Sequence, residues 1–190
     1  MILFLDTEFT NLASCDARLL SIALVDAGSN NEFYAEVTDT NHIEESSFFV
    51  RENILPQFNK FPSCACSYIE VGKRVGSFLL NFASIHDKEI SKGKYIEICF
   101  DFDYDWLLLV DAVKNAENDQ KLWKQIEFLI TPININSIVA LVDEAVEIAS
   151  FENSKNKDGL LRHHALADAR ALCASYYAAK AGIKKSWYER

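Results

Sequence analysis

Two carboxylates one residue apart close the first apolar run of the chain, MILFLDTEFT. Side chains alternate along a strand, so Asp6 and Glu8 point to one side, and burial sharpens the repulsion between them. A solvated strand edge would tolerate such a pair. The apolar run before it argues instead for the C-terminal end of a central strand, where α/β proteins build their sites. FDFDYDW, residues 100–106, adds Asp101, Asp103 and Asp105 between a strand-like run and a very apolar helix. One of the three is expected to cap that helix, and Asp105, directly before WLLLV, is the best placed. LRHHALADARAL, residues 161–172, adds His163 and Asp168 with four residues between them. A helix starting near His164 would carry Asp168 on its second turn and leave His163 on the loop before it.

Singly, these are an exposed pair, a helix cap, and a surface histidine beside an acid on an alanine-rich helix. Together, Asp6, Glu8, Asp105 and Asp168 are four carboxylates at the ends of elements, joined by a loop-borne His163. Such a set suits two Mg²⁺ or Mn²⁺ ions, which prefer oxygen ligands. Two ions about 4 Å apart clamp the attacking and leaving oxygens of a phosphodiester. A histidine, with an ordinary pKa of about 6.5, can take the proton of an attacking water.

The elements that must position these residues follow from pattern. Ile2–Leu5, Leu19–Val25 (LLSIALV) and Glu32–Val37 (EFYAEV) read as three strands joined by tight turns, an antiparallel meander. Ser47–Phe58 reads as a helix up to Pro56, Ile69–Phe82 as a helix, Tyr95–Phe100 as a strand and Asp105–Val113 as a buried helix. Gln120–Ile130 and Ile138–Ala149 are further helix candidates, Glu152–Gly159 (ENSKNKDG) a polar loop, and Leu166–Ala181 a helix closed by Gly182. A meander followed by alternating helices and strands predicts a mixed α/β sheet with helices on its faces.

With 190 residues, 49% hydrophobic and 25% charged, the chain fits a single domain, 1–190, with an ordinary core. A net charge of −9 speaks against a basic surface that grips long nucleic acid, and leaves room for short strands and for a metal that brings its own charge. Binding energy would then come from metal, stacking and a few contacts near a 3′ end, unless folding gathers Arg51, Lys73, Arg74 and Arg162 beside the site. The five cysteines, with Cys64 and Cys66 as a lone C-x-C, read as free thiols in a reducing cytoplasm. The N-terminal apolar run lacks a basic leader and stops at Asp6, so a cytoplasmic protein with no membrane partner is expected.

The D-x-E of FLDTEFT, the aspartate of FDYDWLLL and the H-x₄-D of HHALADARA resemble the three motifs of the DEDDh (DnaQ-like) 3′–5′ exonuclease superfamily. DTEF, LLSIALV and FFVRENILPQF are similar to its small stand-alone bacterial exoribonucleases. The resemblance runs from residue 1 to about 180, rests most on HxALxDA, and carries nothing onto residues 115–160. It implies an RNase H-like fold, a mixed sheet with an antiparallel three-strand meander and helices on both faces. It also implies metal-dependent hydrolysis of 3′ ends to nucleoside 5′-monophosphates. Asp6, Glu8 and Asp168 would hold a first ion, and Asp6 would bridge to a second that the substrate phosphate completes. Asp105 would bind through water, and His163 would be the general base. His164 stands at the three-residue gap where a sister group carries tyrosine, which leaves His163 the better match.

By the same resemblance Phe9, Thr10 and Leu12 would touch the terminal nucleotide. An aromatic ring stacks on any base without reading it, although Phe9 reads equally well as a core residue. Asn11 stands where the usual T-G-L has glycine. The partner is expected to be short or single-stranded RNA, with DNA and a homodimer admitted. Two alternatives remain open: a non-catalytic binding module of the same fold, and a haloacid dehalogenase-like phosphatase, in which Glu8 would replace an aspartate and His163 would have no task.

Overall fold

The computed structural model describes residues 1–11, 17–28, 31–39, 42–117, 120–140, 142 and 144–188. β1 (Ile2–Phe9), β2 (Leu19–Asp26) and β3 (Glu32–Val37) form the expected antiparallel meander. β4 (Ala65–Cys66) pairs parallel with β3, while β5 (Ile96–Phe100) and β6 (Ile130–Asn134) continue the sheet parallel to β1. The strand order is β4-β3-β2-β1-β5-β6. This is a mixed six-stranded α/β sheet.

The alternation along the strands decides which helix covers which face. Leu3, Leu5, Ile22, Leu24, Ile96 and Ile98 pack beneath α3 (Tyr68–Ile85) and α5 (Asp103–Asn115). Phe4, Ala23, Val25 and Cys99 lie on the opposite face, beneath α9 (Ala165–Tyr188). LLSIALVD is buried at all eight positions because β2 is flanked by strands on both edges and by helices on both faces. α8 (Glu144–Asp158) runs beside α9. The Arg170 guanidinium ties α9 to Glu32 of β3 and Asp158 of α8 at 2.6 and 2.7 Å. The shorter elements are α1 (His42–Glu45), α2 (Phe48–Asn53), α4 (Asp87–Ile90), α6 (Lys121–Ile126) and α7 (Asn136–Val139).

Several boundaries differ from expectation. The helix read over 47–58 is α2 followed by a 3₁₀ turn, Leu55–Gln57, because Pro56 cannot continue an α-helix. Gln120–Ile130 divides into α6 and the start of β6. That strand contains Pro132 and is mostly half-exposed, which suits an edge and hides it from a hydrophobic pattern. The helix read over Ile138–Ala149 is likewise two elements, α7 and α8. α8 then runs through most of the supposed loop and ends at Gly159, whose φ of +69° the missing side chain permits. Ser150 and Ser154 are its buried residues, so an apolar stripe is missing from the sequence. Gly182 does not stop α9, which continues to Tyr188. Asp105 does not cap α5: Phe102 stands at the cap and Asp105 lies inside the first turn. The cysteines described, Cys64, Cys66, Cys99 and Cys173, are free thiols, and no helix among the described residues is long and apolar enough to cross a membrane.

Two glycines set how closely α3 packs. A Cβ at Gly72 would meet the Ala112 carbonyl oxygen of α5 at 2.1 Å, whereas one at Gly76 would meet the Leu122 side chain at 2.4 Å. Backbone cannot step aside as a leucine can. Gly72→Ala is expected to cost about 3 kcal/mol in denaturant unfolding. Gly76→Ala should stay within about 1 kcal/mol, since the helix propensity of alanine offsets part of the crowding. Equal costs would show that α3 and α5 are not held at this distance.

Candidate active site

β1 and β5 run side by side in parallel, Phe4 opposite Cys99, so their C-terminal ends open at one place. Asp6 and Glu8 leave β1 there, both on the α9 face, and Asp101 follows the last residue of β5. Thr7 points to the other face and reaches α5. Its N–H and its hydroxyl donate to Asp105 Oδ1 at 3.1 and 2.6 Å, which fixes the carboxylate of a residue that is only 2% exposed. Asp168 comes from the first turn of α9 as Asp105 comes from the first turn of α5. The positive ends of two helix dipoles therefore face the cluster.

Two sets of donor atoms result. One oxygen or nitrogen each from Glu8, His163 and Asp168 lie within 4.8 Å of one another, as do oxygens from Asp6, Asp101 and Asp105. Asp6, Glu8, Asp101 and Asp168 line a cleft of about 230 Å³, and the buried Asp105 adjoins Asp6 and Asp101. Crowding shows in their protonation. Burial, then Asp168, Asp105, Glu8 and Asp101 in turn, hold Asp6 well above the ordinary carboxylate range. Burial, then Asp168 and Asp105, do the same to Glu8. Burial raises Asp101 as well. Asp105 is pushed up to about 7 by burial, against the lowering effect of its Thr7 bonds. Asp168 is also pushed up to about 7 by burial, against the N–H groups of His163 and His164 and the Arg162 charge. A set of hard oxygen donors with one imidazole and an excess of negative charge fits divalent cations such as Mg²⁺ or Mn²⁺.

His163 sits on the loop ahead of α9 with φ +64°, a conformation that costs a non-glycine residue free energy and needs support. Gln57, buried at 5% exposure, supplies it. Its amide donates to the carbonyls of Arg162 at 2.7 Å and His163 at 3.0 Å, and its Oε1 accepts the Leu161 N–H at 3.1 Å. Phe49 meets the His163 ring edge to face at 4.9 Å. Burial and the Arg162 charge lower the His163 pKa, favouring the neutral imidazole. His164 has a different task. It is 1% exposed, stacks on Tyr34 at 4.6 Å, and its Nδ1 accepts the Leu166 N–H as α9 begins. Burial pushes its pKa down to about 4.

The structure thus brings together Asp6, Glu8, Asp105, His163 and Asp168. Sequence reasoning assigned no role to Asp101, although it stands in FDFDYDW four residues before Asp105. It missed Gln57 altogether, and Glu147 and Phe151 of α8, which line the cleft from the stretch onto which the resemblance carried nothing. Thr10 is 2% exposed and its hydroxyl accepts the Arg18 N–H at 3.1 Å, so it joins β1 to β2 rather than facing the cleft. Phe9 packs against the core and stacks with Phe102 and Tyr104, centroids 6.1 and 5.9 Å away. Leu12 lies outside the described residues. Of the four basic residues whose gathering would have undone the charge argument, Arg162 alone lines the cleft, while Lys73 and Arg74 flank a separate groove on α3. No protein-family model matches the chain, and no curated protein does.

Protonation gives a stability prediction with a definite sign. Carboxylates whose pKa is raised on folding hold protons more tightly in the native than in the unfolded chain, so metal-free protein loses stability as pH rises through about 7. His163 and His164, both lowered, act in the opposite sense only below their ordinary value of about 6.5. The metal-free melting temperature should therefore fall between pH about 6.5 and about 7.5, as Asp105 and Asp168 lose their protons, and Mn²⁺ should restore it at the higher pH. Scanning calorimetry at both pH values checks this, and a metal-free melting temperature that climbs over that interval would refute it.

A second prediction concerns the loop. Gln57→Leu strands a buried N–H and two carbonyls, at about 1–3 kcal/mol per unpaired group. It should lower stability by roughly 3 kcal/mol and broaden the His163 imidazole signals in NMR, leaving those of His86 sharp. Unchanged His163 signals would show that the loop holds its shape without Gln57.

Proposed function

We propose that this chain is a divalent-metal-dependent 3′–5′ exonuclease, foremost an exoribonuclease, that trims short or single-stranded 3′ ends to nucleoside 5′-monophosphates. The observation that carries the proposal is the convergence of Asp6, Glu8, Asp101, Asp168 and His163 on one cleft, with the buried Asp105 beside Asp6 and Asp101. The mixed sheet with β1 at its centre is compatible with the RNase H-like fold that the motif resemblance implies.

Glu8 and Asp168 would hold one ion, with His163 beside it, and Asp6, Asp101 and Asp105 the other. Ions bound there would supply Lewis-acid activation of a water and stabilise charge on the phosphate oxygens. Thr7 keeps Asp105 in place through two hydrogen bonds. His163, kept neutral, would accept the proton of an attacking water. The tilt of Phe49 against its ring limits the orientations it can take.

The decisive experiment incubates the purified protein with labelled short RNA and DNA and Mg²⁺, and resolves the products nucleotide by nucleotide. Stepwise shortening from the 3′ end with release of 5′-monophosphates is expected, and EDTA should abolish it. Asp6→Ala and Asp168→Ala should leave traces of activity, and His163→Ala should slow the reaction roughly 10²–10⁴-fold. His164→Ala should act mainly on stability. Full activity in Asp6→Ala, or internal cuts instead of end-trimming, would overturn the proposal.

A further inference from the structure

The acidic cleft contains one cation whose place the carboxylates do not explain. Among the described residues Arg162 is the only lysine or arginine that lines it. A guanidinium near so many carboxylates ordinarily forms a bidentate pair, as Arg170 of this fold does with Glu32. Arg162 forms no ion pair with any described carboxylate. Its guanidinium lies over the Phe151 ring of α8, 5.7 Å from the centroid. The backbone beneath is pinned through the 2.7 Å bond from Gln57 to its carbonyl and the bonds from Gln57 to the residues on either side.

A guanidinium laid on an aromatic face keeps the donors along its edge available, and a fixed backbone reduces the entropy lost when those donors are used. The planar fork matches a phosphate better than the point charge of a lysine does. The surrounding carboxylates would otherwise repel any anion, which leaves a docked phosphate dependent on bound metal alone.

We propose that Arg162, placed over the Phe151 ring, is the phosphate anchor of this cleft, binding a phosphate oxygen of a nucleotide or of the strand that carries it. The ligand class is a phosphomonoester or phosphodiester anion on a nucleoside. The proposal rests on the exonuclease assignment of the cleft and adds the protein group that recognises the substrate's charge. The competing role for Arg162, relief of repulsion among the carboxylates, predicts altered metal binding without any preference for a phosphate.

The test titrates adenosine 5′-monophosphate and adenosine calorimetrically into Mn²⁺-loaded wild type, Arg162→Ala, Arg162→Lys and Phe151→Leu, with Mn²⁺ affinity measured separately. Arg162 is exposed, so melting temperatures close to wild type are expected and serve as the folding control. Arg162→Ala should weaken the monophosphate about 10- to 100-fold, the usual range for one hydrogen bond to a charged group. Adenosine and Mn²⁺ binding should be unchanged. Arg162→Lys should regain part of the loss, and Phe151→Leu should show a smaller one. Undiminished monophosphate binding in Arg162→Ala, equal losses for monophosphate and adenosine, or no monophosphate binding by wild type overturns the proposal. So does a change confined to Mn²⁺ affinity. The two assignments fail separately. Arg162-dependent binding in a protein that trims no strand would sink the exonuclease and leave the anchor. Trimming by Arg162→Ala with an unchanged KM would do the reverse.

Discussion

Burial of Asp6, Glu8, Asp101, Asp105 and Asp168 in one cluster, and the repulsion that burial sharpens, is the constraint the rest of this structure must meet. A protein can tolerate that concentration of charge only if the backbone holding it is supported elsewhere. Here the support is the central pair of parallel strands, β1 and β5, buried on both faces by α3, α5 and α9. The two remaining carboxylates come from helix N-termini, whose unpaired N–H groups offset part of their charge. Raised protonation equilibria show that the offset is incomplete. What is left over is the electrostatic room that divalent cations and a phosphate-bearing ligand would share.

Position within the cleft is controlled from outside it. Thr7 alternates away from Asp6 and Glu8, yet its hydroxyl and N–H are what fix Asp105. Gln57 lies after α2, far along the chain, and bonds three consecutive residues of the histidine loop, of which His163 is left-handed. A strained histidine stays strained only where neighbouring bonds overdetermine it. Two adjacent histidines are thereby separated in role, one facing the cleft and the other buried in the start of α9.

The strands and the carboxylate motifs were legible because each has a local signature. LLSIALV announces a strand buried on both sides, and Asp-x-Glu on one strand must share a face. α8 was legible only in its first turns, within Ile138–Ala149; beyond them its buried residues are Ser150 and Ser154 in place of leucines, and a helix without an apolar stripe reads as loop. β6 was hidden by Pro132 and its half-exposed edge position. Asp101 was in view but gave no sign of choosing the cleft over solvent. Gln57 could not be found at all: its partners lie 104 to 106 residues away, and a lone glutamine carries no periodicity.

The order of these parts along the chain bears on how the molecule can be assembled during synthesis. β1, β2 and β3 are close in sequence and can pair early, but the sheet face bearing Phe4, Ala23 and Val25 stays bare until α9 arrives. Until then Asp6 and Glu8 are hydrated and their charge costs little. Docking of α9 covers the bare face and delivers Asp168 in one movement, so hydrophobic gain and electrostatic cost fall in the same late event. A chain cut short before residue 168 would lack at once the cover of this face and one of the five clustered carboxylates.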